Sequence, residues 1–296
     1  MKDNSVARDY AVGTVLVILL LAVSFLIIRF TNGLVEPQVS GAVGAVEAPA
    51  APAVMVSQTV PTTREASFQL PPKQADRVTL LTGRFDPATD SNFVRLDDRY
   101  TDGDGDYLVR RETAVALREM IDAAAEDGVD LNVRSATRNH ARQSQIWGAK
   151  WRGDRTLSNG VNLGTAGFGD SLKARMILLY SSMPGTSRHH WGTDVDFNAF
   201  ENDYFASGRG LAEYTWLKRH AGDFGFLQPY TSKAGGRTGY EEERWHWSYA
   251  PLSVPFLQAY RTDVSYADIG GFDGAEVAET VGAIEEYVEG VAAELR

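Results

Sequence analysis

Apolar and polar positions change rhythm along the chain, and the changes divide it. Tyr10 to Ile28 reads YAVGTVLVILLLAVSFLII without a single charge, which predicts a membrane-spanning helix over residues 10–29 behind a short tail, 1–9. A cleaved signal peptide is the alternative, but Arg29 and Phe30 stand where a small-residue cleavage site would follow. Residues 30–75 are rich in Ala, Val, Pro and Gly with neither helical nor strand period, as in GAVGAVEAPAAPAV, and predict a flexible linker. A body is expected over 76–267. In it, RRETAVALREMIDAAA places Ala114, Leu117, Met120 and Ile121 on one helical face. Val129 to Val133 reads as a short strand, Asn139 to Trp151 as a second helix, and LAEYTWLKRHAGDFGF as a third that ends at its glycines. TDVDFN and RWHWSY alternate with period two and predict strands. Helices mixed with short strands, without a βαβ rhythm, define an α+β class with a small antiparallel sheet. In residues 268–296, Val277, Val281, Ile284, Val288, Val291 and Leu295 are spaced by fours and threes, which predicts an acidic amphipathic helix. Such a helix either packs on its own domain or serves a protein partner or self-association.

Composition narrows the function. A net charge of -10 argues against a nucleic-acid partner, which calls for a basic face. The chain has no cysteine, so disulfides, thiolate metal sites and a cysteine nucleophile are excluded. Any metal must be held by nitrogen and oxygen, and only five histidines are available: His140, His189, His190, His220 and His246. Lys2 and Arg8 precede the apolar run and Arg29 alone follows it, which favours an internal amino terminus and an exported body. DGDGD at 102–106 begins like a calcium loop. Tyr107, however, stands where the turn needs glycine and Thr113 where a bidentate glutamate is needed, so it reads as a solvated turn.

The chemistry concentrates in two segments. In SRHHWGTDVDFN, strand alternation puts Asp194, Asp196 and Asn198 on one side and Val195 and Phe197 on the other. In EERWHWSY, His246 faces away from the aromatic side formed by Trp245, Trp247 and Tyr249. If the two strands pair, His189, Asp196 and His246 converge on one ion, and two imidazoles with one carboxylate are a catalytic zinc set. Such a site needs a base to take a proton from water, and Glu243 lies three residues before His246. His190 competes with His189 for the first imidazole position.

The arrangement S-x-H-x-x-G-x-D-x-D followed by E-x-W-H resembles the VanY-like D-alanyl-D-alanine carboxypeptidases. They belong to the LAS-type zinc peptidases, with D,D-dipeptidases, L,D-carboxypeptidases and phage L-alanyl-D-glutamate endopeptidases. The resemblance covers roughly Val129 to Tyr249. It implies zinc on His189, Asp196 and His246 and catalysis by Glu243. Upstream, SATRNHARQ matches the family's S-G-Y-R-S motif only in part, and implies that Arg138 stabilises the developing oxyanion. Ser187 and Gln143 would hold the substrate. Two residues depart from the pattern: Asp194 replaces a small residue and Arg244 a proline. Asp194 is expected either to orient His189 as a hydrogen-bond acceptor or to be exposed.

The resemblance thus implies a zinc-dependent D,D-carboxypeptidase acting on peptidoglycan stem peptides. It would be held by a single span in the bacterial cytoplasmic membrane, its catalytic domain facing the periplasm or cell exterior. An L,D-carboxypeptidase, a peptidoglycan endopeptidase or a non-catalytic wall-binding scaffold are the rivals.

Overall fold

A computed structural model describes residues 69–103, 105–165 and 167–296. The predicted tail, membrane span and most of the linker lie outside these residues. Among the described residues no helix is long and apolar enough to cross a membrane.

Helix α1, Gln74–Leu81, begins inside the stretch expected to be linker and is held by its Arg77, which pairs with Asp263 near the end of helix α6, Ala250–Asp263. Strands β1, Phe93–Arg95, and β2, Leu108–Arg110, form a two-stranded antiparallel ribbon. The chain then enters helix α2, Arg111–Glu126. Its apolar stripe does what the pattern demands: Ala114, Leu117, Met120 and Ile121 are all buried. In the DGDGD turn, Asp102 pairs with Arg134 and Asp106 with Arg95, so both carboxylates have cationic side-chain partners.

The main sheet has four strands in the order β3-β4-β6-β5, all antiparallel: β3 Val133–Ser135, β4 Asp194–Phe197, β5 Phe226–Leu227 and β6 His246–Tyr249. In the central pair, Asp194 lies opposite Ser248, Val195 opposite Trp247 and Asp196 opposite His246. Burial sets that register. Val195 and Phe197 are fully enclosed on the apolar face, each contributing roughly 1.5–3 kcal/mol. A slip by one residue would turn Asp194 and Asp196 into that core and is thereby excluded. The strand ends one residue before the expected Asn198. This residue takes a left-handed conformation, φ 57°, and its side-chain amide accepts from Asn132 N at 2.6 Å. It therefore ties β4 to the segment leading into β3 instead of joining the polar face.

Helices α3, His140–Trp151, and α4, Asp170–Ile177, pack on each other, and helix α5, Gly208–His220, ends in a short 3-10 turn, Ala221–Phe224. Asn139 caps α3 by accepting from Arg142 N at 2.9 Å.

The expected C-terminal amphipathic helix does not form as one element. The segment is a string of short pieces: a 3-10 turn at Ala275–Val277, a π turn at Ala283–Val288 and a 3-10 turn at Ala293–Leu295. Gly274 and Gly282, with φ of 79° and 69°, break the helical path. The seam residues Val281, Ile284, Val288, Val291 and Leu295 are buried on the body. Arg237 clamps the segment by donating to the carbonyl of Gly290 at 3.0 Å. Apolar surface that a partner helix would need is thus already used.

Candidate metal centre

One cross-strand pair founds the site. Residues directly opposite in an antiparallel pair project to the same face, so Asp196 and His246 face each other, and Asp194 and Ser248 flank them one step along. His189 arrives from a 3-10 turn, Arg188–Trp191, which runs into β4 through Gly192. That glycine is required: its φ is 72°, and a Cβ there would overlap the Phe93 ring. Buried Arg110 fixes the turn from below, its Nε donating to Trp191 O at 2.7 Å.

His189, Asp196 and His246 each offer a ligand atom, and these atoms lie within 4.8 Å of one another. All three residues are buried. The ring nitrogens are sorted by their outer partners. His189 Nδ1 donates to the carbonyl of Ala136 at 2.7 Å, which leaves Nε2 facing Asp196 Oδ2 at 3.3 Å. His246 Nε2 donates to Asp194 Oδ2 at 2.9 Å, which leaves Nδ1 facing Asp196 Oδ1 at 3.4 Å and Glu243 Oε2 at 3.1 Å. Each imidazole therefore has one nitrogen tied off and one turned inward, as metal-binding histidines do. His190 is excluded as a ligand because both its nitrogens serve the backbone: Nδ1 donates to Arg138 O at 2.5 Å and Nε2 accepts from Gly185 N at 3.0 Å. His140 packs against Phe272, and His220 lies half-exposed against Trp216.

Electrostatics asks for a cation here. Burial opposes charge on His246, but Asp194, Glu243 and Asp196 outweigh it and push its pKa up to about 9. Burial, aided by Arg138, lowers His189. Burial likewise disfavours charge on Asp196, yet the two histidines and Arg138 hold its pKa at about 2. Its Oδ1 is buried without a hydrogen bond, an orphaned acceptor among donors of the right type. Two inward imidazole nitrogens and this oxygen fit a zinc ion, whose protein ligands at catalytic sites are three of this kind.

Asp194 departs from expectation. It is fully buried and serves His246, not His189, because its register position opposite Ser248 sets it beside the outer nitrogen of His246. Arg188 Nε at 2.9 Å, Thr193 Oγ1 at 2.6 Å and Ser248 Oγ at 2.8 Å complete its shell. Burial costs its charge, but Arg188 and His246 hold it well below the usual carboxylate range. Sequence reasoning missed Arg188 as its partner; the only signal was two opposite charges flanking the same glycine turn.

A cavity of about 1060 Å³ opens onto the cluster, and His189, Asp196, Glu243, His246 and Arg138 all line it. Glu243 is buried, and burial raises its pKa above the ordinary glutamate value while His246 partly counters that. Arg138 donates its amide to His189 O at 3.1 Å and has its Nε buried without a partner. Ser187 and Gln143, expected to hold substrate, are not on the cavity wall. Ser187 is enclosed at the start of the histidine turn. Gln143 shares the buried stripe of α3 with Trp147 and Trp151, four and eight residues on, and donates to Ser182 O at 2.8 Å. The adjacent stripe, Arg142, Ile146 and Lys150, lines the cavity instead. Lys150 was not anticipated.

Two imidazoles, a carboxylate and a buried glutamate on the polar face of a small sheet, below a wide cavity, suit a mononuclear metal-dependent hydrolase. Residues 106–252 match the family model described as VanY, D-alanyl-D-alanine carboxypeptidase, and this part of the chain belongs to that family. YodJ of Bacillus subtilis (strain 168), a carboxypeptidase by name, is 32% identical over 146 residues, which cover 48% of this chain and 46% of YodJ. A D-alanyl-D-alanine carboxypeptidase of Enterococcus faecalis (strain ATCC 700802 / V583) is 29% identical over 138 residues, 47% of each chain. The chain thus spans about half the length of these relatives. Among solved structures, a vancomycin-resistance D,D-pentapeptidase VanY in complex with Zn(II) is similar at 27% identity and a TM-score of 0.42, covering 59% of this chain and 87% of that one. An LD-carboxypeptidase, LdcB, gives 20% identity and a TM-score of 0.44, covering 69% and 81%.

Proposed function

We propose that this protein is a zinc-dependent D-alanyl-D-alanine carboxypeptidase that removes the terminal D-alanine from peptidoglycan stem peptides. The convergence of His189 Nε2, Asp196 and His246 Nδ1 beside buried Glu243, within a VanY-family segment, carries the reading. Zinc held by these three residues would polarise the scissile carbonyl and acidify a water molecule. Glu243 takes the proton of the attacking water and delivers it to the leaving amine. Its burial raises its pKa above the ordinary glutamate value, the direction that favours accepting a proton. Arg138, on the cavity wall with its Nε unpartnered, offsets the negative charge that develops on the carbonyl oxygen. Asp194, anchored by Arg188, holds the tautomer of His246.

The uncharged run from Tyr10 to Ile28 supports a membrane anchor at residues 10–29, with the catalytic body on the outer face of the cytoplasmic membrane. Reporter fusions on either side of the run test that placement.

Digestion of defined stem pentapeptides and tetrapeptides, with the products identified by mass, tests the reaction. Free D-alanine from the pentapeptide alone supports the proposal. Cleavage of the tetrapeptide or of an internal bond assigns the L,D-carboxypeptidase or endopeptidase activity instead, and zinc binding without turnover assigns a scaffold.

A further inference from the structure

The cavity has a basic wall that the hydrolytic machinery leaves largely unused. Lys150 projects from the cavity-lining stripe of α3, and its Nζ bonds to Ser181 Oγ. Arg155 joins it from the loop after the helix, tied there by its amide to Ala149 O at 2.9 Å. Lys150, Arg155 and Ser181 all line the cavity that holds the metal cluster. Among the described residues, neither cation forms an ion pair with a carboxylate. A half-buried ammonium without a counter-ion is costly to maintain unless an anion visits it. Burial, with Arg155 and Arg138 close by, lowers the Lys150 pKa to about 8, and the charge of Glu243 only partly offsets this.

We propose that Lys150, with Ser181 and Arg155, forms an anion subsite that holds the free C-terminal carboxylate of the substrate, in place of the buried Ser187 and Gln143. The inference rests on the carboxypeptidase reading above and deepens it. A subsite that demands a terminal carboxylate beside the scissile bond confines cleavage to the chain end. It also gives Ser181 a purpose: its hydroxyl orients the ammonium and adds a second donor for the anion.

The test uses two peptides, a stem pentapeptide ending in D-alanyl-D-alanine and the same peptide with a C-terminal carboxamide. Only the terminal charge differs, so a carboxylate elsewhere in the stem gives no preference between them. Their binding is measured by calorimetry on zinc-loaded Glu243→Gln protein, where turnover does not interfere. A charge-assisted hydrogen bond of this kind predicts roughly 10- to 100-fold tighter binding of the free acid. Adding Lys150→Met should cut that preference several-fold, and adding Arg155→Met as well should abolish it, while Lys150→Arg should restore part of what Lys150→Met removes. Ser181→Ala, a milder change that spares the helix, should reduce the preference several-fold. Equal affinities for the two peptides in the Glu243→Gln protein would overturn the proposal. So would a preference that Lys150→Met leaves unchanged. Hydrolysis by the Glu243-intact protein is followed separately. A Lys150-dependent preference without hydrolysis would refute the catalytic reading and leave the subsite standing.

Discussion

Replacing Asp194 separates two roles that one carboxylate performs. Its Oδ2 receives both Arg188 Nε and His246 Nε2 at 2.9 Å, and the side chains of Arg188 and Asp194 are fully enclosed. Asp194→Ala leaves a buried guanidinium whose remaining bond is to Ser248 Oγ at 2.6 Å. Breaking a buried pair on one side costs about 3–5 kcal/mol. For a domain of this size that corresponds to a fall in Tm of roughly 6–20 °C. The same change removes the acceptor that fixes His246, and loss of such an outer partner weakens metal binding about 10- to 100-fold. The two effects come apart in the double variant Arg188→Leu with Asp194→Leu. With both charges gone, stability should return to within about 1–2 kcal/mol of the parent, since a buried pair gains little over apolar residues of similar volume. Zinc affinity should stay low, because the Nε2–H of His246 then faces a leucine. Denaturant unfolding of the metal-free protein reads the first quantity, and chelator-competition titration with zinc reads the second. Parental zinc affinity in the double variant would refute the positioning role. A cost below about 1 kcal/mol in Asp194→Ala, the range of exposed pairs, would refute the burial on which the magnitude rests.

Glu243→Gln should bind zinc like the parent and lose hydrolysis by about 10²–10⁴-fold, the usual contribution of a positioned acid–base group; product release from a stem pentapeptide measures it. Gly192→Ala should lower stability by at least about 1–3 kcal/mol, since the position is left-handed and the added carbon overlaps Phe93, and unfolding curves report the loss. The acid-over-carboxamide preference in kcat/KM should depend on pH through Lys150, which faces Arg155, Arg138, Glu243 and Ser181. Lys150 is charged below its pKa of about 8 and neutral above it, so the preference should hold on the acid side and fade as pH rises through that value. Effects of pH on the metal water and on Glu243 act on both peptides and cancel in the ratio, and Lys150→Met should flatten the profile.

The contrast between what the sequence disclosed and what it concealed follows from the range over which each signal acts. Strand alternation is local, so TDVDFN and RWHWSY declared their polar faces. The apolar flanks Val195, Phe197, Trp247 and Tyr249 then left one register in which those faces share a sheet side. The convergence of His189, Asp196 and His246 was therefore legible before any coordinates, and the place of Glu243 beside them followed from its distance along the chain. Helix α2 was legible for the same reason. The C-terminal segment misled because heptad spacing reports only that apolar residues recur. It does not report whether Gly274 and Gly282 will fold the path back so that the same residues are buried in pieces. The failure at α3 is narrower. Residues 142 and 143 differ by one position, which on a helix is a rotation of about 100°. That rotation sends Gln143 inward with Trp147 and gives the cavity to Arg142, Ile146 and Lys150. Which stripe faced the cavity depended on the four-stranded sheet and on the loop carrying Ser181, neither of which is encoded near α3. Asp194 was ambiguous for the same cause. A carboxylate two residues from a ligand can point to water or to a histidine, and only the strand opposite, bringing Ser248 and His246 alongside, decides between them. The residues that converge in the cluster were thus set by local pattern. Those that flank it and those that line the cavity were set by contacts distant in sequence.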